Sequence, residues 1–194
     1  MHDPTLERTT NGRGAIAAAA YRDLLKLDAG TWFSREHTGE PVPSFYGAGR
    51  LCVELGLWAN VEIKPTTGFE AETGRATALL ARELWRDARL PPLLSSFQPV
   101  ALSAAKEAAP ELPRGALTKS IPPNWQYWMQ ALDCVSLHCD YRMLLPQQAR
   151  AVRDAGYWLL CYTVNDPEIV RVLLDWGADA IVTDRLDLIA PDFS

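Results

Sequence analysis

A chain of 194 residues with 48% hydrophobic and 22% charged residues has the make-up of one globular domain, taken here as residues 1–194. A net charge of −5 without a basic run argues against nucleic acid or an anionic membrane surface as a partner. No apolar run approaches a membrane span, and Met1-His2-Asp3-Pro4 does not read as a secretory leader. Cys52, Cys134, Cys139 and Cys161 lack Cys-x-x-Cys spacing, so free thiols in a reducing cytoplasm are expected.

In chain order, the first forty residues are turn-rich. A tight loop with two glycines covers residues 9–14, a short helix is expected over 15–27, and a polar loop over 35–43. Ser44 is a candidate N-cap for a helix to about residue 55, stopped by Gly56. From there strand and helix alternate. Strands are expected at 58–63, 92–97, 115–117, 134–138, 158–164 and 180–183. Helices are expected at 71–88, 99–109, 122–132, 146–155 and 166–176. Short apolar strands separated by helices imply a parallel sheet with right-handed crossovers. The period alone leaves two architectures open: an open doubly wound sheet, or a barrel without its beginning.

The stretch that orders the rest is Asn60-Val61-Glu62-Ile63-Lys64-Pro65, an apolar run ending in a carboxylate, an ammonium and a proline. Glu62 and Lys64 lie two residues apart and so share one face of a strand. Either they form a buried ion pair without chemistry, or they stand at the carboxyl-terminal mouth of a parallel sheet, where α/β folds bind ligands. Ser95 and Ser96 lack a Gly-x-Ser-x-Gly elbow, which argues against a serine hydrolase, and His37 reads as a surface residue.

Several blocks resemble the cytoplasmic glycerophosphodiester phosphodiesterase family, bacterial members that accompany glycerol-3-phosphate uptake in particular. They are His2-Asp3 with Leu6-Glu7-Arg8-Thr9-Thr10-Asn11-Gly12, then Leu27-Asp28-Ala29-Gly30-Thr31-Trp32-Phe33, Glu62-Ile63-Lys64-Pro65 and Leu94-Ser95-Ser96-Phe97. Tyr162-Thr163-Val164-Asn165, Trp176-Gly177-Ala178-Asp179 and Ile181-Val182-Thr183-Asp184 complete the set. The resemblance implies an α/β fold, a (β/α)8 TIM barrel of the phosphatidylinositol-phosphodiesterase type. The family's His-Arg-Gly and Glu-x-Asp motifs are absent, so the barrel is expected to lack roughly its first two strands and first helix.

By the same resemblance, the chain hydrolyses a small-molecule glycerophosphodiester to sn-glycerol 3-phosphate and an alcohol with the help of a divalent cation, Mg2+ or Ca2+. Glu62 is the implied metal ligand and Lys64 the charge beside the phosphate. His2 is the implied general acid, a task suited to imidazole because its pKa lies near neutrality. Phe97, His138 and Tyr162 are expected to line the cleft. Two alternatives stay open: an inactive remnant that only binds ligand or a partner, and a barrel aldolase using Lys64 as a Schiff base. Missing strands would leave open barrel edges, through which self-association and poor solubility are expected.

Overall fold

The computed structural model describes residues 2–191 and 193. It divides the chain into two compact units, 1–57 with 66–68, and 58–65 with 69–194.

The first unit consists of loops and short turns followed by one longer helix. An isolated bridge joins Thr5 to Ala15, and a second joins Asp28 to Pro41. Glu7 closes the 9–14 loop by accepting the Gly14 N–H at 2.7 Å. Asp28 gathers a wider loop, accepting the N–H groups of Gly30, Thr31 and Gly39 and the Thr31 hydroxyl. Those donors hold its carboxyl well below the usual carboxylate range. The helix expected over 15–27 is broken. A 3-10 turn at Ile16–Ala18 and α1 (Tyr21–Leu24) are separated by the extended residues Ala19 and Ala20. None of the residues in these two elements is buried, and alanine propensity alone does not sustain so short a helix. By contrast α2 (Phe45–Glu54) starts where expected, with the Ser44 hydroxyl accepting the Gly47 N–H at 3.0 Å.

The second unit is a six-stranded, wholly parallel sheet: β1 (Asn60–Glu62), β2 (Leu93–Ser96), β3 (Arg114–Thr118), β4 (Ser136–Asp140), β5 (Trp158–Tyr162) and β6 (Ala180–Ile181). Each strand pairs only with its neighbours in the chain. Between them run α3 (Glu70–Leu84), α4 (Pro99–Ala108), α5 (Trp125–Ala131), α6 (Pro146–Asp154) and α7 (Pro167–Trp176). Helix α7 shows why the later elements were legible. Asp166 caps it, Pro167 occupies its first turn, and Gly177 ends it at φ 106°.

Alternation along the strands sorts the two faces. Leu137, Cys139, Leu159 and Cys161 point to the helices and join Leu102, Met129, Val152, Val170 and Leu173 in one apolar core. Each fully buried leucine there contributes about 1.5–3 kcal/mol. Helices α3 and α4 meet closely at Gly74, where a Cβ would stand 2.2 Å from the Ala101 carbonyl oxygen.

The other face is concave. Phe97 follows β2 and Tyr162 ends β5, three strand spacings away, about 14 Å on a flat sheet. Their ring centroids nevertheless lie 5.9 Å apart, so the sheet curls around them. The register agrees: Glu62 pairs with Ser95, Ser95 with Gly115, and Gly115 with Ser136. A row that ends β1 therefore begins β4, which is the stagger of a barrel wall. The architecture is an α/β half-barrel, and the doubly wound alternative drops out because the strand order never reverses.

Strand β4 runs two residues later than expected. Asp133 takes a left-handed φ of 52°, and the Cys134 N–H is still bonded to the Met129 carbonyl. The chain is leaving α5 there and cannot yet join the ladder. As a result His138 lies in the middle of its strand rather than at the end.

Candidate active site

The carboxyl-terminal ends of β1 to β5 collect polar and aromatic side chains on the concave side. Glu62 is the last residue of β1, and Lys64 follows it on the same face. Both are exposed, which removes the buried ion pair from consideration. Between them, the Ile63 carbonyl accepts the Ser96 hydroxyl at 2.6 Å, and the Ile63 N–H donates to the Ser95 carbonyl at 2.6 Å. The backbone carrying Glu62 and Lys64 is thus fastened to β2 on both sides of its peptide.

Phe97 and Tyr162 meet edge to face in the same mouth. Tyr162 is fixed further by its hydroxyl, which donates to the Thr118 carbonyl at 2.9 Å. Burial first, then the negative charges of neighbouring groups including Asp140 and Glu62, push this phenol up to about 12. It remains a neutral donor across the physiological range, and the Glu62 carboxylate is close enough to act on it.

His138 does not reach this mouth. Its ring is 1% exposed, Nε2 lies 2.9 Å from the Ser136 hydroxyl, and it covers Gly115, where a Cβ would stand 2.7 Å from Nε2. Burial pulls its pKa down to about 4, so it sits neutral in the wall. The expected substrate contact is corrected to a structural position beneath the rim. The reason is the two-residue displacement of β4.

In the first unit, His2 is exposed and its Nδ1 lies 2.9 Å from Asp3 Oδ1. Arg8 grips the same carboxylate through Nε and through Nη2, the latter at 2.8 Å. Together these partners hold the Asp3 carboxyl well below its ordinary value. A carboxylate on Nδ1 fixes the orientation of the ring. Sequence reasoning had not assigned Arg8 this part.

A divalent cation of the Mg2+ or Ca2+ type calls for about six or more oxygen ligands, several of them carboxylates in a tight site. Among the described residues no cluster of three or more His, Cys, Asp or Glu side chains is arranged to hold a metal. Glu62 offers one carboxylate, which does not by itself make a metal centre.

Two residues at the rim escaped notice in the sequence. Asp140 ends β4 beside Tyr162, its side chain 6% exposed, and accepts Arg142 Nε at 2.9 Å and Nη2 at 2.6 Å. The pattern Asp140-Tyr141-Arg142 repeats the acid-x-base spacing of Glu62-Ile63-Lys64 at the end of another strand, and that repetition was the available signal.

The family model of the "Glycerophosphoryl diester phosphodiesterase family" matches residues 1–188. The chain belongs to this family. Among curated members of the glycerophosphoryl diester phosphodiesterase family, it is 29% identical over 187 residues to the glycerophosphodiester phosphodiesterase of Caldanaerobacter subterraneus, covering 95% of this chain and 75% of that one. It is 28% identical over 202 residues to the enzyme of that name in Bacillus subtilis, covering 97% and 69%. Among solved structures, it resembles an Oleispira antarctica phosphodiesterase in complex with the product sn-glycerol 3-phosphate. That match has a TM-score of 0.87 and 35% identity, covering 95% of this chain and 74% of the other. The glycerophosphodiester phosphodiesterase of Agrobacterium tumefaciens is also similar, with a TM-score of 0.75 and 25% identity, covering 97% and 78%. No helix among the described residues is long and apolar enough to cross a membrane.

Proposed function

We propose that the chain hydrolyses glycerophosphodiesters to sn-glycerol 3-phosphate and an alcohol. The observation that carries this is the Glu62–Lys64 pair, open to solvent at the carboxyl-terminal rim of a parallel sheet, beside the Phe97–Tyr162 aromatic pair. Family membership supports it, as does the product bound to the Oleispira relative.

A phosphodiester resists water because its own charge repels the nucleophile, and hydrolysis needs that charge met and the leaving alkoxide protonated. Lys64 supplies a compact cation for a phosphate oxygen. Phe97 and Tyr162 offer aromatic surface to the carbon skeleton of the glycerol or the alcohol. For His2 the support is its motif and the Asp3 carboxylate that orients its ring through Nδ1, and the role proposed for it is to give a proton to the departing oxygen. Glu62 is proposed as one ligand of a Mg2+ or Ca2+ ion, the other oxygens coming from water and substrate, so the ion is held weakly. When bound, such an ion would neutralise phosphate charge.

The six strands are read as the last six of a (β/α)8 barrel of the phosphatidylinositol-phosphodiesterase type, the first two strands and first helix not being among those described. A second reading, a chain that binds substrate without turning it over, is favoured by one observation: among the described residues Glu62 belongs to no group of three or more His, Cys, Asp or Glu side chains arranged for metal. Incubation with glycerophosphocholine and glycerophosphoglycerol, with Mg2+ or Ca2+ and with EDTA, decides between them. Metal-dependent release of sn-glycerol 3-phosphate is the expected result. Binding of that product without turnover of either diester would replace the first reading by the second.

A further inference from the structure

Beyond Glu62 and Lys64, the rim carries a second concentration of charge, on the side of β3 and β4. Asp140 and Tyr162 are register partners at the ends of β4 and β5, so their side chains stand together on the concave face. Tyr162 reaches over to the end of β3 and bonds the Thr118 carbonyl, and Lys119 is the next residue. Arg142 folds back onto Asp140 with two parallel N–H bonds, and its own N–H donates to Asp140 Oδ1 at 3.0 Å.

The result is a guanidinium held in a fixed position at the mouth. Arg142 keeps a side-chain exposure of 69% while its carboxylate partner is all but covered. Nε and one N–H of Nη2 are engaged, and among the described residues Nη1 has no hydrogen-bond partner. Lys119 is exposed and near enough for its charge to help hold the Asp140 carboxyl below its ordinary range, after the larger effect of Arg142. Two cations therefore surround one buried anion, and the local balance is positive in a chain whose net charge is −5.

We propose that Arg142 and Lys119 form a specificity subsite for the alcohol arm of the diester, selecting substrates whose alcohol itself carries an anion, a second phosphate or a carboxylate, over those carrying a quaternary ammonium. This rests on the phosphodiesterase reading above, since it concerns the far arm of the same substrate. The free edge of a guanidinium matches two oxygens of a phosphate or carboxylate, whereas a choline cation meets like charge there. The Phe97–Tyr162 pair could attract a quaternary ammonium by cation–π contact. The excess positive charge left at this end of the rim after Asp140 is paired opposes that attraction, which is about 1 kcal/mol at an exposed site.

The test is calorimetric binding to the full chain at low and at 0.5 M salt, with three probes. These are sn-glycerol 3-phosphate, glycerophosphocholine, and bis(glycerophospho)glycerol, whose alcohol arm bears a second phosphate. The expected result is a preference for the doubly charged diester over the choline diester on the order of fivefold or more at low salt, shrinking at high salt. Lys119→Gln leaves the Asp140–Arg142 bond in place and is expected to reduce the ratio. Arg142→Gln is expected to bring it close to one. Should the latter fail to fold because Asp140 loses its partner, the lysine variant still decides. Binding of sn-glycerol 3-phosphate with equal affinity for the two diesters overturns the subsite alone. A ratio that both variants leave unchanged does the same. Failure to bind all three probes overturns the phosphodiesterase reading and the subsite with it.

Discussion

The hydroxyl of Tyr162, at the end of β5, donates to the carbonyl of Thr118, at the end of β3, across the whole width of β4. Such a bond ties alternate strands of the wall and holds the ring against Phe97. Tyr162→Phe keeps the ring and removes the tie. It is expected to cost about 1 kcal/mol in urea unfolding, because the Thr118 carbonyl is left to find water. The phenol's pKa of about 12 means that no ionisation of Tyr162 should appear in any activity profile between pH 6 and 10.

Arg114 is a buried cation in the floor of the sheet, with 3% side-chain exposure. It donates to the carbonyls of Leu132, Pro110, Leu112 and Asp133 and to the Asp133 carboxylate at 2.8 Å, joining the turns that lead into β3 and β4. Arg114→Met strands those carbonyls and is expected to cost about 3–5 kcal/mol. Asp133→Asn keeps a residue type that tolerates the left-handed backbone. It loses a charge that is 70% exposed, for about 1 kcal/mol or less. Denaturant midpoints of the two variants check the contrast.

Burial of His138 also predicts a pH dependence. Above its ordinary value of 6.5, the ring is neutral both in the fold and in the unfolded chain. Below it, the unfolded chain takes up a proton that the folded one refuses until about pH 4. Stability is therefore full above pH 6.5 and falls as the pH drops from there to about 4, by about 3 kcal/mol over the whole window. Urea midpoints at pH 7 and pH 5 should show about 2 kcal/mol of this loss, and His138→Gln should flatten the slope.

At the mouth, Glu62→Gln is expected to abolish metal-dependent release of sn-glycerol 3-phosphate, since a neutral amide oxygen holds a divalent cation far more weakly than a carboxylate does. Lys64→Gln should weaken binding of that product on the order of tenfold. Both side chains are exposed, so thermal unfolding of each variant should stay close to the parent.

The parts of the fold legible in the sequence were those where local chemistry and packing agree. The six strands were found because each is a short run with apolar residues set off by helices or turns, as β5 is by Gly156 before it and the Asp166 cap and Pro167 after it. The alanine-rich stretch after Gly14 misled, since good helix formers without a face to bury do not hold a helix. Glu62, Lys64, Phe97 and Tyr162 stand out in the sequence as charges and aromatics at strand ends, and the structure brings the Phe97 and Tyr162 rings together there. His138 was misplaced for want of two residues of register, set by the left-handed turn at Asp133 that no composition reveals. Asp140 and Arg142 were passed over because their partnership is visible only once the chain turns back on itself after β4.

The strand order has a consequence for how such a wall is made. Because β1 through β6 bond only to the preceding and following strand, every new strand finds its template already laid down by the segment just synthesised. Growth can proceed rung by rung during translation, with short loop closures and little need for distant segments to search for one another.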